Sequence, residues 1–251
     1  GTTFAPGKAG PGFSFNGSQK VEIPDSQSLN PTAAITLDAW VNVSGGQGTY
    51  RDIISKDGEY SNRQYLLGVT IYNKFRAHIG VGNTFYYIDS TNTISTNTWY
   101  HVAMTYDGAK MVLYVNGVAQ TNGSMTGSII TTTQPMRIGG GAPAGTPQYY
   151  FKGRIDEADI FSRALSPSEI AEIYNAGSSG KINPNCLPAP SDVIGWWGGD
   201  SNPFDLAGAN DGNLIGSVAF VPGYVSDAFQ FDGSSNVEIP DAPELNPYHQ
   251  L

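Results

Sequence analysis

Two sets of residues in this chain have the types and spacing to do chemistry, one acidic and one aromatic. The acidic set is Asp156, Glu157 and Asp159 in Gly153-Arg-Ile-Asp-Glu-Ala-Asp-Ile-Phe161, together with Glu22 and Asp25, which return as Glu238 and Asp241. Cleaving a glycosidic bond takes two carboxyl groups flanking the bond, one as acid and one as base or nucleophile. Neighbours on a strand point to opposite faces, so Asp156 and Glu157 do not form such a pair. A pair repeated at a strand end reads as architecture. The aromatic set is Tyr50, Arg51, Tyr60, Asn62 and Tyr65, then Tyr72, Arg76, Phe85, Tyr86 and Tyr87. Flat ring faces beside amide, hydroxyl and charged groups suit a sugar ring. Every second aromatic of a half-buried strand is core, so at least half of these must pack inward. Trp40, Trp99, Trp196 and Trp197 read as core rather than platform.

Other chemistries lack their residues. His78, His101 and His249 have no Ser or Cys nucleophile arranged near them, and neither HxH nor HExxH spacing occurs. No Gly-rich phosphate loop is present. The formal net charge of −9 excludes a phosphate-backbone partner. Unpaired acidic side chains suit a hard cation such as calcium, or only a solubilising surface. No apolar run reaches the roughly 18–20 residues of a membrane span. Cys186 is the one cysteine, so no intrachain disulfide forms.

The elements that must position these residues are strands. Gly 31 and Pro 16 are abundant and charged residues are only 14% of the chain, which favours β structure over helix. Ile35-Thr-Leu-Asp-Ala-Trp-Val41 puts Ile35, Leu37, Ala39 and Val41 on one face. Segments 65–71 and 74–79 predict a hairpin over Tyr72-Asn73, and 98–106 and 110–115 a second over Asp107-Gly108. Asn116-Gly117 is a further turn, and 152–161 the last strand of the unit. The single helix follows: Ser166 as N-cap, Pro167 at the first helical position and Glu169 three after the cap, with Ile170, Ile173 and Tyr174 on one face.

The chain also repeats itself. Phe13–Pro31, FSFNGSQKVEIPDSQSLNP, returns as Phe229–Pro247, FQFDGSSNVEIPDAPELNP, an offset of 216 residues (13 to 229). That period fits a whole domain plus linker, not a small solenoid unit. The boundaries it implies are a first domain at 1–178, a Ser/Gly/Pro-rich linker at 179–192, and the opening part of a second repeat at 193–251.

The motifs GWWGGD at 195–200, DLAGANDG at 205–212, FAPGKAGPGFSFNG at 4–17, ITLDAWVN at 35–42, NTWYHVAMTYDG at 97–108, LYVNGV at 113–118 and GRIDEADIFSRALSPSEIAEIYNAG at 153–177 resemble the laminin-G-like jelly-roll domains of the concanavalin A-like lectin/glucanase superfamily. The resemblance covers nearly the whole chain. It implies an all-β, two-sheet antiparallel jelly-roll sandwich with one short helix. It also implies that the first domain lacks its opening strands. Residues 193–216 would supply them, within the chain or by a strand-swapped homo-oligomer. It implies a calcium ion at Asp156, with the Asn16-Gly17 turn and Asp200 or Asp205 as co-ligands. The ExDxE pair of the superfamily's glycosidases is absent. The resulting expectation is a non-catalytic, secreted, calcium-binding bacterial module whose partner is a glycan or a cell-surface ligand. The alternatives are a glycoside hydrolase or lyase on the same fold, and a purely structural spacer repeat.

Overall fold

The computed structural model describes residues 2–45, 48–58, 63–141, 149–179, 197–199, 202–205, 208–222 and 227–245. They fall into two compact units. Residues 1–8 and 12–175 make the first, and residues 9–11 and 176–251 the second.

The first unit is a stack of two antiparallel sheets. Its strands are β1 (Thr3–Pro6), β2 (Pro11–Asn16), β3 (Val21–Ile23), β4 (Ile35–Val43), β5 (Arg51–Asp57), β6 (Arg63–Val69) and β7 (Phe75–Val81). They continue with β8 (Thr84–Asp89), β9 (Trp99–Tyr106), β10 (Lys110–Val115), β11 (Val118–Ser124), β12 (Met136–Ile138) and β13 (Lys152–Phe161). One sheet runs β1-β2-β13-β4-β9-β10-β11, the other β3-β12-β5-β6-β7-β8. The jelly-roll sandwich expected from the sequence is what forms.

Alternation builds the core between the sheets. Ile35, Leu37, Ala39 and Val41 of β4 meet Phe75, Ala77 and Ile79 of β7, all fully buried in one cluster. Each such aliphatic or aromatic side chain contributes about 1.5–3 kcal/mol on leaving water. The turns follow their residues. Asn116 and Gly117 take φ of 51° and 76°, the two left-handed positions that a tight hairpin between β10 and β11 requires. The Asn16-Gly17 turn does something different from a hairpin: β2 and β3 lie in different sheets, so it carries the chain from one layer to the other.

Helix α1 (Pro167–Ala176) covers the outer side of the seven-stranded sheet. Its capping box is formed in both directions, the Ser166 amide donating to Glu169 Oε2 at 2.8 Å and the Glu169 amide to Ser166 Oγ at 3.3 Å. Ile170 is buried against Ala103, Tyr114 and Leu165. This cover explains why all nine residues of β4 are buried, not only the inward four.

The second unit has strands β14 (Asn213–Ile215), β15 (Ala219–Pro222), β16 (Asp227–Gln230) and β17 (Asn236–Glu238), pairing β14 with β17 and β15 with β16. The 216-residue offset carries β15 onto β1 residue for residue, and the 3-10 turn Pro243–Leu245 onto Gln27–Leu29. The turn chemistry repeats as well. Ser18 donates its amide to Asn16 Oδ1 at 3.0 Å, and Ser234 donates its amide to Asp232 Oδ1 at 2.8 Å. Cys186 and Trp196 lie outside the described residues.

Candidate functional site

The outer face of the six-stranded sheet carries two cross-strand rows of polar and aromatic side chains. Facing pairs place Asp52 (β5), Gly68 (β6), Arg76 (β7) and Asp89 (β8) in one row. The next row is Glu22, Arg137, Ser55, Leu66, His78 and Tyr87. A register shift between Asp52 and Ile54 inserts one extra residue into β5. Both Ile53 and Ile54 therefore reach the core, and Asp52 lands on the same outer face as Ser55.

Gly68 has no side chain, and its neighbours in the first row close in on the place one would take. A Cβ there would stand 3.2 Å from Asp52 Oδ1 and 3.0 Å from the Arg51 carbonyl oxygen. The same face holds a cavity of about 350 Å³, lined by Tyr50, Asp52, Arg63, Leu66, Arg76, His78, Phe85, Tyr87 and Tyr149.

Its walls are rings. Tyr50 and Tyr149 meet edge to face at 5.6 Å, and His78 stacks on Phe85 at 6.0 Å. The Arg76 guanidinium lies 4.1 Å over the Tyr87 ring. Tyr87 is 58% exposed, so its ring is open to a ligand.

Its polar atoms divide into satisfied and unsatisfied. Arg76 donates through Nε and Nη2 to the two carboxylate oxygens of Asp89, at 2.6 and 2.8 Å. Asp52 Oδ2, His78 Nδ1 and Arg63 Nε are buried with no hydrogen-bond partner among the described residues. Buried polar atoms are ordinarily paired, so these three are exceptions on residues that line the cavity. Burial, reinforced by the neighbouring Asp57, holds the Asp52 carboxyl well above the ordinary carboxylate range. Burial, aided by Arg63 and Arg76, pushes His78 down to about 3, so its ring is neutral at pH 7.

Of the residues singled out from the sequence, the structure brings Tyr50, Arg76, Phe85 and Tyr87 together at this cavity. Arg51 is elsewhere: it is fully buried, and its guanidinium donates to the Gly45 and Thr70 carbonyls and to Asn73 Oδ1, clamping the β6–β7 turn. Tyr65 is core, its hydroxyl donating to the Leu29 carbonyl. Tyr72 stands exposed on the β6–β7 turn and does not line the cavity. Tyr60 lies outside the described residues. Asp52, Arg63, Leu66, His78 and Tyr149 complete the cavity without having been singled out for it.

Of the expected calcium donors, Asn16 and Asp156 lie apart within the first unit. Asn16 faces Lys152, four residues along β13 from Asp156 and so about 13 Å away. Asn16 Oδ1 accepts from the Ser18 amide and hydroxyl, and the Asp156 carboxylate accepts from the Lys8 and Glu157 amides. Asp205 belongs to the second unit, where its Oδ2 accepts from the Asn210 amide, and Asp200 is outside the described residues. Among the described residues no group of three or more His, Cys, Asp or Glu is placed to hold a metal ion. Glu22 and Asp25 are held in ion pairs, Glu22 with Lys20 and Arg137, Asp25 with Lys56.

Two stacked antiparallel sheets in this strand order, with a helix closing one outer side, define a jelly-roll sandwich. The chain belongs to the concanavalin A-like lectin/glucanases superfamily, whose laminin-G-like profile matches residues 15–171. No curated protein sequence matches it. Several solved structures share the fold. The binding domain of paraclostridial mosquitocidal protein 1 is 18% identical, with a TM-score of 0.58 over 70% of this chain and 46% of that one. Domain 4 of a GH43 extracellular arabinanase from Geobacillus stearothermophilus, solved with arabinotriose, is 22% identical, with a TM-score of 0.52 over 68% and 80%. The CBM40 of the Ruminococcus gnavus IT-sialidase, bound to α2,3 sialyllactose, is 15% identical, with a TM-score of 0.53 over 66% and 96%. This chain thus spans less than half of the toxin structure's length. Among the described residues no helix is long and apolar enough to cross a membrane.

Proposed function

We propose that this is a non-catalytic carbohydrate-binding module that takes a glycan in the cavity walled by Tyr50, Phe85 and Tyr87. The observation that carries this reading is a ring-walled cavity on the outer face of the sheet, where the exposed Tyr87 ring lies under the Asp89-paired guanidinium of Arg76. Ring faces stack on the apolar face of a sugar, and the polar atoms fix its hydroxyls. Structures of the same fold described as holding arabinotriose and sialyllactose support it. Asp52 is the one carboxyl among the described residues lining the cavity, whereas hydrolysis calls for two flanking the bond. We also propose that the module works outside the cell, as the arabinanase is described as doing. Calcium at Asp156 is a separate proposal, on which sugar binding does not depend. A glycan-array screen of the protein and of Tyr87→Ala tests the reading. Binding that the variant loses supports it; binding unchanged in the variant moves the site elsewhere.

A further inference from the structure

We infer that Asn16 is a modification site: its side-chain amide converts spontaneously to a carboxylate, and the turn it starts is shaped to hold that product. The reaction needs only the chain and solvent water. The Gly17 nitrogen, losing its proton to solvent, bonds to Asn16 Cγ, and the Cγ–Nδ2 bond breaks with release of ammonia. Water then opens the resulting five-membered imide, leaving aspartate, or isoaspartate when it cuts on the main-chain side. The net change is amide plus water to acid plus ammonia, with nothing oxidised or reduced.

Asparagine precedes glycine at 16, 116 and 122, and the structure separates the three. Asn16 is exposed and is the last residue of β2, so Gly17 leaves the ladder, at φ 95°. Asn16 Oδ1 accepts from the Ser18 amide at 3.0 Å and from the Ser18 hydroxyl at 2.7 Å. Attack at Cγ pushes charge onto that oxygen, and two donors already aimed at it stabilise the charge as it forms. At 116 the side-chain oxygen accepts from the His101 amide, and the Tyr174 ring lies 3.1 Å from where a Gly117 Cβ would stand. Asn122 and Gly123 both stay paired in β11, opposite Val112 and Met111, which holds their backbone extended.

The second repeat carries the product as its own residue. Asp232 is the counterpart of Asn16, and Ser234 that of Ser18. Asp232 Oδ1 accepts from the Ser234 amide at 2.8 Å and from the Ser234 hydroxyl at 2.9 Å. The same two donors therefore serve either an amide oxygen or a carboxylate, and bonds to the charged form are the stronger. The Ser234 amide, then the Ser235 and Ser234 hydroxyls, hold the Asp232 carboxyl below the ordinary carboxylate range. Asn16 also has a cation beside it. Lys152 faces it across β2 and β13, and the Lys152 stem lies 3.6 Å from the place a Gly17 Cβ would take. A carboxylate at 16 gains an opposite charge there.

The test is to hold the whole protein in mildly alkaline buffer at body temperature and follow each asparagine by peptide mass spectrometry. Asn16 should convert about tenfold or more faster than Asn116 and Asn122. In denaturant, where the fold no longer separates them, the three rates should converge. Asn16→Asp should unfold cooperatively, with a midpoint equal to or above that of the parent. Conversion of Asn116 or Asn122 as fast as Asn16 in the folded protein overturns the inference. A clear drop in the midpoint of Asn16→Asp overturns it as well.

Discussion

Arg76 and Asp89 face each other across β7 and β8, joined by two hydrogen bonds of 2.6 and 2.8 Å while the guanidinium lies over Tyr87. The carboxylate therefore fixes the plane of the guanidinium, and the guanidinium holds one face of the ring. Arg76→Lys keeps the charge but loses the fork and the flat stacking surface. Sugar affinity should fall about tenfold in calorimetry. The midpoint of thermal unfolding should move little, because half-exposed ion pairs contribute only about 0–1 kcal/mol. Unchanged affinity would remove Arg76 from the site.

Gly68 lies between Asp52 and Arg76, both of which line the cavity. Gly68→Ala places a methyl group 3.2 Å from Asp52 Oδ1 and close to Leu66. The expected outcome is a loss of sugar affinity of about tenfold or more, with cooperative unfolding retained. A variant that binds as tightly as the parent would place the ligand away from Asp52 and Gly68.

His78 gives stability a pH dependence. Its folded value, about 3, lies below that of the unfolded chain, near 6.5. The unfolded chain takes up the proton first, so this contribution is full above about pH 6.5 and is lost as pH falls toward 3. Asp52 works in the opposite sense. Its raised value means that the unfolded carboxyl ionises first as pH climbs above about 4, which erodes stability. Between pH 7 and pH 4.5, His78→Phe should lose less thermal stability than the parent. Equal losses would show that the imidazole protonates without unfolding.

Asp156 accepts hydrogen bonds from the amides of Lys8 and Glu157, tying the start of the chain to the irregular stretch of β13. With chelator present, Asp156→Ala should lower the unfolding free energy measured in denaturant by roughly 1–3 kcal/mol for two stranded amides. A loss seen only with calcium present would make this carboxylate a metal ligand.

Among the described residues, the buried members of the main hydrophobic cluster run from Phe15 to Ile155, with Phe13, Ala158 and Ile160 packed against them. A fragment ending at Ser179 should unfold cooperatively with a midpoint within a few degrees of the whole chain. A large drop would mean that residues 193–216 complete the first sandwich.

The sandwich was legible because alternation, turn residues and the capping box all act over a few positions. Ile35 to Val41, Asn116-Gly117 and Ser166 to Glu169 each specify their element alone. The cavity was legible only in part. Arg76 and Tyr87 sit on regular strands, where parity assigns the face. Arg76 also points to His78, two residues on, which strand parity was able to reveal. Asp52 was hidden by the extra residue at Ile53, since parity counted from Ser55 puts it inward. Arg51 misled because a buried arginine clamping a turn and an exposed one reaching a sugar have the same local sequence. Tyr149 comes from nearly a hundred residues away and carries no local signal.

Chemical-shift mapping with lactose and arabinotriose on the ¹⁵N-labelled protein tests most directly whether this cavity is the binding site. The expected result is a saturable set of shifts centred on the amides of Gly68, His78 and Tyr87, absent in Tyr87→Ala. Saturable shifts that instead cluster on the turn at Gly17 or around Asp156, with Gly68 and His78 still, would contradict it.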